Sequence, residues 1–195
     1  AIATSLIATA CGTTAALALG RRTFRGKKLF QILLLPPMGI PWLIIGTAML
    51  VFFYWSGIGR GLHAMILGHV ALALPYVMLV VGTGVQTLRP ELEEAALSLG
   101  STPLHAFFAV TLPLLRQSII AAGLFAFAAS LDQFVVSYFL ATPGVSTLPV
   151  EIYSSIRKGF TPEINAISTL LLGASMILVI AFASLSNLGG RHERR

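Results

Sequence analysis

The chain has 195 residues, 56% of them hydrophobic and only 10% charged, with a formal net charge of +6. Soluble domains carry roughly 25% charged residues, so this composition excludes an ordinary soluble fold. A single cysteine excludes an internal disulfide, and basic residues at membrane edges account for the positive balance without any nucleic acid.

The chain opens at Ala1 inside an apolar segment, with no basic n-region or small-residue cleavage site, and is expected to start within a longer protein. Cys11 lies in this segment beside Thr13 and Thr14 and reads as packing. Three later stretches, 29–59, 61–88 and 164–190, contain no Asp, Glu, Lys or Arg. Each exceeds the ~20 residues that a helix needs to cross the hydrocarbon core. Spans are therefore expected over 1–19, 29–55, 62–87, 114–140 and 164–188. Lipid offers no partner to an unpaired backbone, so the spans are expected to be helical. The period-two pattern of a membrane barrel is absent from "LLGASMILVIAFASL". The expected fold is an all-α, polytopic membrane protein, one helical bundle over 1–195.

Basic residues orient it. With "GRRTFRGKK" on the cytoplasmic side, Arg21, Arg22, Arg25, Lys27, Lys28, Arg89, Arg116, Arg191, Arg194 and Arg195 fall inside, and Arg60, Arg157 and Lys158 fall outside. This follows the positive-inside rule and puts the carboxyl end in the cytoplasm. Pro36, Pro37 and Pro41 in the second span and Pro75 in the third each remove a backbone donor. They read either as tolerated prolines or as kinks lining a pathway. His63 and His69, six residues apart, point away from each other on a helix and cannot form a paired metal site. His69 is expected to pack or to bond a backbone carbonyl.

Residues 88–113 form the cytoplasmic connection in this topology. Pro90 fits a first helical position, with Glu91, Glu93 and Glu94 in the first turn. Gly100 fits the left-handed residue that ends a helix, and Thr102-Pro103 restarts one. Leu104, Phe107, Phe108 and Leu112 then share one face of a short helix. Such a helix can rest on lipid, pack on its own bundle, or enter a partner's groove.

Asp132 is the only acidic residue within an expected span, with Ser130, Gln133 and Ser137 near it in sequence. Intramembrane acids face a cavity or a partner group, so Asp132, Gln133 and Ser137 are candidates either for a cationic solute's path or for a helix contact. The loop 141–163 is expected to carry a short surface helix over Pro149 to Lys158, and "TPE" at 161–163 to start the last span. The sequence has no phosphate-cradling Gly-x-x-x-x-Gly-Lys-Ser/Thr loop, no His-Glu-x-x-His pair and no Gly-x-Ser-x-Gly turn. No catalytic residue, metal ligand or cofactor is assigned to this chain.

Glu94-Ala95-Ala96, Gly100, Val110, Leu112 and Pro113 stand at the spacing of the EAA motif, and the chain resembles the inner-membrane permeases of ATP-binding-cassette importers. Only Val110, in place of Ile, departs from that motif. The stretch from Ser130 to Leu172 resembles the second permease of spermidine/putrescine-type systems, with Gln133 where polyamine permeases often have a second acid. The resemblance implies a type I importer bundle in the bacterial inner membrane, with a further helix upstream of this chain. It implies that Glu94, Ala95, Gly100, His105, Phe107, Phe108, Leu112 and Pro113 form the segment that couples to an ATP-binding cassette subunit. That subunit would bind ATP and Mg, a second permease would complete the pathway, and a periplasmic solute-binding protein would deliver the solute. Two other classes are weighed against it. A membrane-embedded enzyme would need Asp132 and a histidine to converge. An ion-gradient-driven transporter would be favoured by inverted repeats, which the five expected spans lack.

Overall fold

The computed structural model describes the chain except residues 22–24, 35–38, 160–165, 171–172, 175, 178–179 and 181–195. Its helices are α1 (Ile2–Arg21), α2 (Lys27–Leu34), α3 (Trp42–Trp55), α4 (Leu62–Thr87), α5 (Pro90–Ser98), α6 (Pro103–Ala106), α7 (Leu112–Leu131), α8 (Val135–Leu140) and α9 (Leu148–Lys158). A π-turn, Phe107–Thr111, joins α6 to α7. Among the described residues, three helical runs are long and apolar enough to cross a membrane: Ile2–Arg21, Leu62–Thr87 and Pro103–Leu131. Residues 166–170 are also helical, and the rest of the expected last span lies largely outside the described residues, as does "TPE".

α1, α4 and α7 pack into one core through Ala8, Ala16, Ala73, Val77, Val81, Val85, Leu115, Ala122 and Ala126. Small residues let the backbones approach where no water-driven force pulls apolar helices together. A Cβ added at Gly12 would stand 2.5 Å from Cγ1 of Val77. The Ser5 hydroxyl donates to the Gly123 carbonyl at 2.7 Å, tying α1 to α7. A second cluster, Phe53, Ala64, Met65, Leu72, Val136 and Leu140, packs α3 and α8 against the first half of α4. The Gly61 amide, just before α4, donates to the Leu140 carbonyl at 3.0 Å. α4 is thus the common wall of both clusters, and it runs through Pro75 without ending.

Two expected spans are divided. The run over 29–55 breaks at Pro41, whose extended backbone (φ −54°, ψ 132°) starts α3; Pro36 and Pro37 lie outside the described residues. The run over 114–140 ends at Leu131 and resumes at Val135, with Asp132, Gln133 and Phe134 at the corner. Neither Gly nor Pro marks this second break. Serines flank it instead, Ser130 before and Ser137 after, and their side chains are bonded as described below. Cys11, expected to pack, is exposed on this chain.

Within 88–113 the backbone follows its local chemistry. Pro90 opens α5. Gly100 (φ +90°) closes it, with the Gly100 amide on the Leu97 carbonyl at 3.0 Å and the Ser101 amide on the Ala96 carbonyl at 3.1 Å, the paired bonds of a Schellman end. Thr102 caps α6 by accepting from the His105 amide at 3.3 Å. The expected separate surface helix instead continues into α7. Pro113 has no amide to offer Ala109, and the turn before it widens so that the Leu112 amide reaches the Phe107 carbonyl, an i→i+5 bond.

Candidate functional site

Two constellations stand at opposite ends of α7, whose 20 residues span about 30 Å at 1.5 Å per residue. The first joins three segments. Arg21 at the end of α1 places Nη2 2.7 Å from Oε2 of Glu93 and 3.1 Å from the Thr111 hydroxyl. The Thr111 hydroxyl donates to the same carboxylate oxygen at 2.7 Å. Arg21's hydrogen bond, then that of Thr111, hold the Glu93 carboxyl below the usual carboxylate value, against a smaller opposing effect of desolvation. Sequence reading missed this node. Glu93 and Glu94 are adjacent acids of one helix turn, and only the phase of α5 against Arg21 separates them.

Around the node the motif residues face outward. Glu94, Ala95, Gly100, His105 and Pro113 are exposed, and Phe107 and Leu112 are half-buried. Leu104 is 69% and Phe108 55% exposed, while Ala106 and Thr111 are buried. The Phe107 and Phe108 rings meet edge to face at 5.2 Å. Leu104 and Phe108 of the apolar stripe are therefore turned away from the chain's own bundle, while Phe107 and Leu112 are partly covered by it.

The second constellation is a cavity of about 380 Å³ between α3, α4, α7 and the corner. Trp42, Tyr76, Phe125 and Phe134 give it aromatic walls; Asp132, Gln133, His69 and Ser130 give it polar groups. The Tyr76 and Phe125 rings meet at 5.2 Å, tilted 37° to each other. Asp132 is exposed and Gln133 half-buried. Ser137, the third candidate, is fully buried and does not line the cavity. Its hydroxyl donates to the Gln133 carbonyl at 2.7 Å and lies 2.9 Å from Nε2 of His69. Nδ1 of His69 is 2.9 Å from the Ser130 hydroxyl. His69 thus bonds two serine side chains rather than the expected backbone carbonyl, and His63 lies apart, on the Ile58 carbonyl at 2.8 Å. An apolar-walled space with one carboxylate and aromatic faces suits an organic cation, which the carboxylate attracts and the ring faces stabilise.

Beyond the cavity, α9 covers the corner through an aromatic group. Tyr153 stands 5.0 Å from Phe134 and 5.7 Å from Tyr138, with the Arg157 guanidinium 5.9 Å above the Tyr153 ring.

Comparison with known proteins agrees with this architecture. The "Putrescine transport system permease protein PotI" of Escherichia coli (strain K12) is 38% identical over 190 residues, covering 89% of this chain and 67% of that protein. The "Spermidine/putrescine transport system permease protein PotC" of the same strain is 33% identical over 181 residues, covering 93% and 69%. A "Putative 2-aminoethylphosphonate transport system permease protein PhnV" of Salmonella paratyphi A is 28% identical over 178 residues, covering 90% and 67%. In fold, the chain superposes on a crystal structure of an amino acid ABC transporter with histidines at a TM-score of 0.64, with 17% identity, over 95% of this chain and 89% of that one. The family model described as "Binding-protein-dependent transport system inner membrane component" matches residues 11–190. The chain therefore belongs to that family of multi-pass inner-membrane transport permeases.

Proposed function

We propose that the chain is the membrane-spanning permease subunit of an ATP-driven importer and that its solute is a polyamine of the putrescine or spermidine class. The observation that carries the solute class is the Asp132 carboxylate at the mouth of a cavity walled by Trp42, Tyr76, Phe125 and Phe134. A flexible diammonium chain offers such a site a charge for the carboxylate and methylenes for the rings. A phosphonate would bring its negative charge against Asp132. The names of the relatives PotI and PotC support the same class.

In this reading the 88–113 segment and the carboxyl end are cytoplasmic. An ATP-binding subunit, carrying ATP and Mg, seats on the exposed face of Glu94, Ala95, Gly100, His105, Phe107 and Phe108, with Leu112 and Pro113 leading into α7. A second permease completes the pathway, and a periplasmic solute-binding protein delivers the solute on the α9 side. Movement at the partner displaces α6 and, through continuous α7, the corner that holds Asp132 and Gln133. The protein does no chemistry on the solute. It changes which side of the membrane the cavity faces, and ATP biases that choice only as far as the partner prefers one state.

The test is uptake of labelled putrescine into proteoliposomes holding the complete importer, with ATP inside and binding protein outside. Uptake should require ATP, survive an ionophore, and show about a tenfold higher KM with Asp132→Asn, the equivalent of ~1.4 kcal/mol. Uptake that runs without ATP and stops with the ionophore would overturn the reading.

A further inference from the structure

His69 is a polar ring set 5% exposed in an apolar interior, and nothing in the transport reading above uses it. Burying an imidazole is costly unless both nitrogens are bonded, and here both are. The proton count is fixed by the neighbours. Ser137 has one O–H and donates it to the Gln133 carbonyl, so its oxygen accepts from Nε2–H of His69. In the neutral ring Nδ1 is then an acceptor, and Ser130 donates to it.

The two serines lie on opposite sides of the break. Ser130 belongs to the last turn of α7 and Ser137 to α8, and between them stand Asp132, Gln133 and Phe134, all three lining the cavity. One ring from α4 thus braces both flanks of a corner that has no proline to stiffen it. Ser137 in turn holds the Gln133 carbonyl, which the break leaves without a helical partner. Beside the ring, a Cβ added at Gly68 would stand 2.9 Å from Cγ1 of Val136, so α4 and α8 are in close contact here.

We infer that His69 is a positioning residue: through Ser130 and Ser137 it fixes the 132–134 corner, and so sets the Asp132 carboxylate and Gln133 amide against the cavity. This rests on the reading of that cavity as the solute path. A histidine that merely filled the core would be replaceable by any ring of similar size. A brace requires a donor and an acceptor about one ring apart, which Gln supplies and Phe does not.

The experiment uses the complete importer in membranes, in a Cys11→Ser background with Gln133→Cys, whose backbone carbonyl still receives the Ser137 hydroxyl. Without solute, the labelling rate of that cysteine by a charged maleimide reports the corner alone. His69→Phe should change the rate about fivefold or more, His69→Gln less than about twofold, and the Ser130→Ala/Ser137→Ala pair should reproduce the Phe result, as expected for two lost buried hydrogen bonds. With native Gln133 restored, His69→Phe should raise the KM for putrescine about tenfold at little changed Vmax, and add nothing in an Asp132→Asn background. Equal labelling in His69→Phe and the parent overturns the proposal, as does a KM effect that simply adds to that of Asp132→Asn. A changed labelling rate with unchanged uptake supports the brace and removes Asp132 from the solute path. Loss of assembly in the Phe variant, judged by co-purification of the ATP-binding subunit, leaves the serine pair to decide.

Discussion

Arg21 and Glu93 meet at 2.7 Å, so the end of the first helix is fastened to the acid immediately before the motif glutamate. Thr111 closes the triangle from the foot of α7. The segment that presents Phe108 outward is therefore referenced to two bundle helices rather than hung between them. The pair is partly exposed and contributes about 1 kcal/mol or less to stability. Its value lies in geometry. Arg21→Ala should lower ATP-driven uptake several-fold while the melting temperature of the purified complex moves little. A variant that melts early but, once assembled, transports normally would show a merely structural pair.

The same node sets an acid limit. The Glu93 carboxyl is held below its ordinary value of 4.5 by Arg21 and Thr111. A lowered folded-state value means that the stabilisation is fully present above the unfolded value and is lost as pH falls through the folded one. Hydrogen-exchange protection over residues 90–111, taken relative to the intrinsic rate at each pH, should therefore stay constant from pH 7 down to about 5 and fall below 4.5. Glu93→Gln should flatten that fall. Protection already falling between pH 7 and 5, or an unchanged acid profile in Glu93→Gln, would contradict this assignment.

Gly100 closes α5 with φ +90° and has open space around its missing Cβ. Substitution there is resisted by the backbone alone, at about 1–2 kcal/mol for a residue with a Cβ. Gly100→Asn should be tolerated better than Gly100→Val. Photocrosslinking from position 108 to the ATP-binding subunit should fall in the same order. Equal crosslinking in all three would mean that the turn does not aim the segment.

Two glycines of the bundle make a matched pair. A Cβ at Gly12 runs into stiff, β-branched Val77, whereas a Cβ at Gly82 on α4 meets nothing within 4 Å. Gly12→Ala should destabilise by about 1–3 kcal/mol through overpacking, and Gly82→Ala should leave the thermal midpoint of the assembled complex unchanged or raised. A neutral Gly12→Ala would show that α1 and α4 are free to separate.

How much the sequence reveals depends on how local the physics is. Pro90, Gly100 and Thr102-Pro103 punctuate the chain by their own backbone chemistry, and the helices begin and end where that chemistry says. Charge-free length likewise marks α4. The corner at Asp132 is invisible by those rules, because the side chain that bonds both of its flanks, His69, comes from another helix. The choice of Glu93 over Glu94 is equally non-local, since it depends on which acid faces Arg21. Cys11 looks like a core residue by composition, yet its exposure is decided by the faces α1 turns to α4 and α7. Ser137 is legible as polar and near Asp132, but its direction, into His69 rather than the cavity, is set by the break itself.

The wide turn over Phe107–Thr111 resets the angular phase of one continuous rod. In an unbroken α-helix, residues five apart stand about 140° away from each other, so Ala106 and Thr111 could not both face inward. The i→i+5 bond brings them onto one side, and both are buried, while Leu104 and Phe108 stay outward. A helix with two incompatible faces, one answering to the bundle and one to whatever lies outside, thus runs without a joint. Deleting Ala109 from the turn would leave both apolar stripes intact. It would rotate the outer stripe by about 100° relative to α7, presenting the right residues in the wrong direction.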